Sequence, residues 1–222
     1  MTYKFDFSAI FANADELLYG CLSTLAMSLV AMLLALLLAI AAVLGLRLRP
    51  RWFGVPVGAF VEVVRNTPFL IQIFFIYFGL PAIGIRLEPN IAAIVALSIN
   101  GAAFAIEIIR AGVAAIGAGQ IEAGQALGLH GLHIFRFIIF RPALRIVYPA
   151  LTSQFIFLML TSSIVSSISA RELTHAAAVL EGITFRSFEV YFTVTVLYGI
   201  MAVLLSIGFA ALFRWRISYP TR

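Results

Sequence analysis

Charged residues inside otherwise apolar sequence are the first places to look for chemistry, and this chain has four of them in two matched pairs. Glu62 and Arg65 stand three residues apart, as do Glu107 and Arg110. That spacing puts both members of a pair on one helical face. Charges at membrane depth are costly and face a bundle interior or water, so the four are expected to form one cross-helix ion network. Such a network either gates or binds a substrate ion, or it fixes helix register. The internal balance of charge and a depth off the midplane, where transporter sites usually sit, favour the second role. Gln72, Asn100, Thr161, Ser162 and Ser163 are the candidate lining of a substrate pathway. For Gln72 the alternative is an interhelical hydrogen bond, and for the hydroxyls it is helix-to-helix adhesion.

Other chemistries find little to work with. Cys21 and the serines of 162–169 have no histidine in their own apolar stretches, so a nucleophile and base cannot be assembled locally. His130 and His133 have a metal-compatible spacing but no third ligand nearby, and no metal is expected. The sequence contains no Gly-x-x-x-x-Gly-Lys-Ser/Thr, and its one lysine, Lys4, precedes the first apolar stretch. A phosphate-cradling loop therefore cannot be built, and any ATP hydrolysis belongs to another chain. An intramembrane enzyme is disfavoured on these grounds.

The elements that must hold these residues are membrane helices. The 222 residues are 63% hydrophobic and 11% charged, with a mean hydropathy of +1.07, far outside the range of soluble domains. An all-α integral membrane protein is expected, one transmembrane domain over 1–222, with spans at about 17–46, 55–80, 90–115, 145–169 and 190–213. The first span is too long for a signal-peptide core and is expected to be retained. Pro68 should kink or unwind the second span. The lone cysteine, Cys21, sits in an apolar run and reads as a buried thiol.

The net charge of +5 could indicate nucleic acid, but the arginines sit in short loops between apolar spans, so it reads as orientation. If the loops at 47–53 and 116–145 and the tail from Arg214 share one side, that side holds nine basic residues: Arg47, Arg49, Arg51, Arg136, Arg141, Arg145, Arg214, Arg216 and Arg222. Its one acid is Glu122, whereas the other side has four basic residues and seven acids. The positive-inside rule then makes the N-terminus periplasmic and the C-terminus cytoplasmic. Both charge pairs fall ~8–14 Å inside the cytoplasmic boundary at ~1.5 Å per residue.

The polar interruption at about 116–144 lands on that cytoplasmic side. Its glycines bracket a helix too short to span a bilayer, bearing Glu122 and Gln125. Residues 132–141, Leu-His-Ile-Phe-Arg-Phe-Ile-Ile-Phe-Arg, follow as an expected interfacial helix with Arg136 and Arg141 toward headgroups. The stretch Glu122-Ala123-Gly124-Gln125-Ala126-Leu127-Gly128, preceded by Ile116-Gly117-Ala118-Gly119-Gln120, resembles the cytoplasmic EAA loop of ABC importer permeases of the polar amino-acid branch (histidine, glutamine, arginine and opine permeases). Residues 61–81, 102–129 and the outer segment 170–189 resemble successive signatures of the same family, so the likeness covers about 15–215.

The resemblance implies a type I ABC importer permease fold in the bacterial inner membrane. It implies ATPase coupling through Glu122, Ala123, Gly124, Ala126, Leu127 and Gly128. It also implies a separate ATPase subunit carrying ATP and Mg, a second permease identical or homologous to this one, a periplasmic substrate-binding protein, and a polar amino acid as substrate. The chain itself would hold no cofactor. Three departures stand out. The usual third alanine of the loop is Gly124, the usual Leu-Pro-Gln reads Phe140-Arg141-Pro142, and the Lys-Asp that relatives often carry is Leu160-Thr161. The last points to a neutral or acidic amino acid, or to a subunit that does not itself bind. A passive channel or assembly subunit is the alternative, and it gives the 120–131 helix no role.

Overall fold

The computed structural model describes residues 4–216. Arg222 and the side chain of Arg216, both used in the orientation count, lie outside the described residues. Ten α-helices run in chain order: α1 (Ser8–Ala12), α2 (Ala14–Leu48), α3 (Pro50–Arg65), α4 (Phe69–Phe74), α5 (Pro89–Ala114), α6 (Ala118–Ala126), α7 (Gly131–His133), α8 (Arg141–Thr161), α9 (Leu173–Thr184) and α10 (Ser187–Arg216). Wider and tighter windings extend three of them. A π turn (Phe75–Gly79) and a 3-10 turn (Leu80–Ile83) continue α4, a π segment (Ile134–Phe140) joins α7 to α8, and a 3-10 turn (Ser162–Ile168) ends α8.

The central pair is α2 against α5, and small residues make it possible. Ala31, Ala35 and Ala39 on α2 and Ala92, Ala96, Ala102, Ala103 and Ala105 on α5 have no exposed surface. Within lipid, helices gain little from burying apolar side chains, so close backbone approach supplies the packing. At Gly101 of α5 a Cβ would stand 2.6 Å from Leu158 Cδ1 of α8 and 3.0 Å from Ala35 Cβ of α2, so three helices meet at one hydrogen atom. By contrast α10 is mostly uncovered, with Val203, Leu204 and Ile207 all more than half exposed, as a lipid-facing helix should be. Asp15 and Glu16 in the first turn of α2 and Arg47 in its last both complement the helix dipole.

Four helices or helix runs are long and apolar enough to cross a membrane: Ala14–Leu48, Pro89–Ala114, Gly131–Ile168 and Ser187–Trp215. The stretch expected as a single span over 55–80 is instead two helices. Pro50–Arg65 and Phe69–Ile83 meet at 109°, a larger turn than the kink anticipated at Pro68. Proline lacks an N–H and disfavours helical geometry in the residue before it, and the three residues Asn66-Thr67-Pro68 carry the break. The fourth span differs too. Residues 132–141 are not a separate interfacial helix, because Gly131–Ile168 runs as one 38-residue helix with its π segment near the start. Pro142 is the second residue past that segment, and it has no N–H to give the regular ladder.

On the face bearing α9, two polar clusters tie distant segments together. Glu172 caps α9 and is 1% exposed. Its carboxylate accepts from the backbone N–H groups of Thr174 and His175, both at 2.8 Å, and from the Tyr198 hydroxyl at 2.6 Å. Beside it, the Leu173 N–H donates to Thr24 Oγ1 of α2 at 3.1 Å. That contact is close because a Cβ at Gly20 would lie 2.9 Å from the Leu173 Cα. The second cluster centres on Arg186, which reaches Asp6 Oδ2 at 3.5 Å and Glu189 Oε1 at 3.3 Å and pins the N-terminal segment to the start of α10.

Burial is the main influence on Glu172 and raises its carboxyl above the ordinary value, against the lowering effect of its hydrogen bonds. The folded state therefore holds this proton more tightly than the unfolded chain. Stability from this group is fully present below the ordinary carboxylate value and declines as pH rises from there toward the raised folded value. Thermal unfolding in detergent should show that decline in the native chain, and Glu172→Gln should flatten it; an unchanged pH profile in the variant would exclude Glu172 as its source.

Candidate functional site

The helix pair α3 and α5 brings three of the four intramembrane charges together. Glu107 is shared. Its Oε1 accepts from Arg110 Nη1 at 2.7 Å, and its Oε2 lies 3.8 Å from Arg65 Nη1 on α3. The Glu62–Arg65 pair expected from spacing does not form. Arg65 turns to the neighbouring helix, where its guanidinium also lies 5.3 Å from the centre of the Phe104 ring. Glu62 is left exposed, without an ion pair among the described residues, and faces a cleft of about 550 Å³ lined also by Asn66, Phe104 and the other three charges. The Arg65–Glu107 contact is a cross-helix link of the kind expected, but spacing alone does not show that Arg65 takes the acid on α5 over the one on its own helix. Phe104 and Asn66 were missed for the same reason.

Gln72 bridges the break between α3 and α4. Its Nε2 donates to the Val64 carbonyl at 2.7 Å, the Thr67 carbonyl at 3.0 Å and Thr67 Oγ1 at 2.9 Å. The two carbonyls are acceptors that the 109° break leaves without helical N–H partners. Asn100 on α5 completes the arrangement by donating from Nδ2 to Gln72 Oε1 at 3.1 Å. The interhelical hydrogen bond weighed as the alternative for Gln72 is thus present, and both amides are engaged.

The hydroxyls of the fourth span are satisfied within their own helix. Thr161 donates to the Phe157 carbonyl at 2.8 Å, Ser162 to Met159 at 2.7 Å and Ser163 to Leu160 at 2.9 Å. Ser162 is fully buried, whereas Thr161 and Ser163 are partly exposed. Ser166 and Ser167 follow the same pattern three residues back. This repeated back-bonding accompanies the 3-10 winding of 162–168. His130 and His133 acquire no third ligand, and among the described residues no group of three metal-ligating side chains occurs.

The second candidate element is α6. Only Gly124 is buried; Glu122, Ala123, Gln125, Ala126, Leu127 and Gly128 are exposed, Leu127 at 80%. The helix ends in a Schellman motif: the Gly128 N–H donates to the Gln125 carbonyl at 2.9 Å and the Leu129 N–H to the Gly124 carbonyl at 3.0 Å. Gly128 has φ +71°, a left-handed geometry that favours glycine. Gly124 is where α6 rests on the following segment, since a Cβ there would stand 2.5 Å from Ile138 Cδ1 and 3.4 Å from Ile134 Cγ1. That close seat is the physical counterpart of the glycine at this position.

Two substitutions test the inner architecture. Gln72→Leu should cost ~1 kcal/mol, because it removes the amide's hydrogen bonds across a partly exposed break, read as a lower unfolding midpoint in detergent. Glu107→Gln should lower the yield of folded protein, because two guanidiniums at membrane depth lose their shared counter-charge; normal yield and stability would show that the cleft hydrates them adequately.

Residues 31–218 match the family described as the binding-protein-dependent transport system inner membrane component. The chain is 36% identical over 204 residues to the probable glutamine ABC transporter permease protein of Bacillus subtilis (strain 168), covering 90% of this chain and 93% of that one. It is 35% identical over 206 residues to the glutamine transport system permease protein of Escherichia coli (strain K12), covering 91% and 94%. Among solved structures, one described as an amino acid ABC transporter with histidines superposes with a TM-score of 0.88 at 30% identity over 96% of this chain and 99% of the other. Family match, relatives and solved structure agree: the chain belongs to the binding-protein-dependent transport system inner membrane components, and is an amino-acid ABC transporter permease subunit.

Proposed function

We propose that this subunit forms half of the translocation pathway of an ATP-driven importer for a polar amino acid, coupled to a separate ATPase through α6. The observation that carries the proposal is the nine-residue α6, which buries Gly124, half-buries Ile121 and exposes its other residues, as well as the capping Leu127. A helix with so little of its own surface covered is built to be covered by something else. The chain has no phosphate-binding loop, so ATP and Mg reside on the partner. Relatives named as glutamine permeases support a polar amino-acid substrate, and the absence of an acid at Thr161 supports a neutral or acidic one.

The remaining partners follow from the same reading. A second permease, identical or homologous, covers the cleft at Glu62 and closes the pathway that one subunit leaves open. A periplasmic substrate-binding protein delivers to the face that carries α9. The subunit lies in the bacterial inner membrane with its N-terminus periplasmic and its C-terminus cytoplasmic, the arrangement that the basic residues favour.

Gly128 offers the test. Asparagine tolerates left-handed backbone, whereas tryptophan adds bulk on the exposed side and strain of ~1–2 kcal/mol. Gly128→Asn should retain ATP-dependent uptake and co-purification of the ATPase; Gly128→Trp should lose at least ten-fold in both while still inserting. Full uptake in the tryptophan variant would sink the docking role of α6.

A further inference from the structure

The π segment Ile134–Phe140 gathers cationic side chains in a way that ordinary helix geometry would not. Arg136 and Arg141 are five residues apart, and at 3.6 residues per turn such positions point to different faces. The wider i→i+5 winding draws them together. Both guanidiniums lie over the same ring, Phe137, with Arg136 at 5.6 Å and Arg141 at 5.1 Å from its centre. The His133 ring stacks on the same phenylalanine at 6.0 Å. Neither arginine has a carboxylate within ion-pairing distance among the described residues, and both are exposed. Two guanidiniums gathered about one ring, neither paired with a carboxylate, suit a phosphate, which accepts from planar forks of donors.

Position and surroundings select the source of that phosphate. The helix from Gly131 to Ile168 has 38 residues; at ~1.5 Å each it far exceeds a ~30 Å hydrocarbon core, so its first turns reach headgroup level. Phe135, Phe137 and Phe140 are each about half exposed around the arginines. Their bare ring surface calls for acyl chains more than for an aqueous protein partner. Meanwhile α6 takes a different face of the segment, through Ile134 and Ile138. We propose that Arg136 and Arg141, aligned on Phe137 by the π segment, clamp the phosphate of an anionic phospholipid at the leaflet that faces α6. Assignment of that leaflet as the cytoplasmic one rests on the orientation proposed above; the clamp itself does not.

Native mass spectrometry of the full-length chain in a neutral detergent, with equal amounts of phosphatidylglycerol and phosphatidylcholine, tests this without any ATPase. At least five-fold preferential retention of phosphatidylglycerol is expected, falling to parity in Arg136→Gln/Arg141→Gln and remaining in the control Arg47→Gln/Arg49→Gln. Should the first double variant fail to purify, Phe137→Leu, which keeps both charges, should still lower the preference at least two-fold. Equal retention of the two lipids by the native chain would overturn the proposal. An equal loss in the control pair would do the same, by showing diffuse attraction. Displacement of the lipid by millimolar inorganic phosphate would mark a free-anion site instead. Loss of ATPase co-purification in the Arg136/Arg141 variant with lipid preference intact would place these arginines in protein docking and also refute the clamp. Because the lipid measurement uses the chain alone, failure of α6 as a docking helix would leave its result untouched.

Discussion

A chain that turns through 109° must find partners for the backbone groups it uncovers, and in this protein the side chains of Gln72 and Thr67 supply them for three carbonyls. Gln72 donates to two carbonyls and a hydroxyl at the break, and Asn100 holds the other end of its amide. Lipid offers no substitute donors, so irregular backbone at this depth is tolerated only where protein or trapped water supplies them. Much else follows from that local solution. With α4 directed away from α3, the inner end of α3 is free to lie along α5, and Arg65 comes within reach of Glu107. The cleft at Glu62 exists because the span is divided there.

Packing and charge divide the work along α5. Toward its N-terminal half, alanines allow α2 to approach until backbones nearly touch, a contact that needs no polar group. Toward its C-terminal half, Glu107 and Arg110 face the cleft and fix how α3 lies against it. Gly101 stands between the two regimes, at the point where α2, α5 and α8 converge. The helices α2, α3 and α8 therefore pack along one common partner, α5, while α10 leaves most of its surface uncovered.

Much of this architecture is legible in the residues. Apolar run lengths give the membrane class and most of the spans, and the Glu122 to Gly128 segment announces a short polar helix with a glycine stop, which α6 and its Schellman motif realise. Pro68 marks the site of the break but not its size, because the angle depends on whether a distant side chain can satisfy the freed carbonyls. Nothing local to Gln72 identifies it as that side chain. The Glu62–Arg65 spacing misleads for a similar reason: i, i+3 geometry permits a pair, and a better-placed acid on another helix takes it. The run 132–141 reads as interfacial from its arginines, yet a π segment can carry such residues within a continuous helix, and no residue pattern signals that winding. Glu172 and Tyr198 are 26 positions apart and meet only through the fold.

The seat of Gly124 on Ile134 and Ile138 has a mechanical consequence. The residues that hold α6 belong to the same unbroken helix that ends at Ile168. Along that helix, Gly112 and Gly101 let α5 press closest at two levels, beside Val147 and Leu158, so the rod is gripped at two points along its length. A displacement of α6 would therefore be shared between this helix and α5 and not amplified at either end.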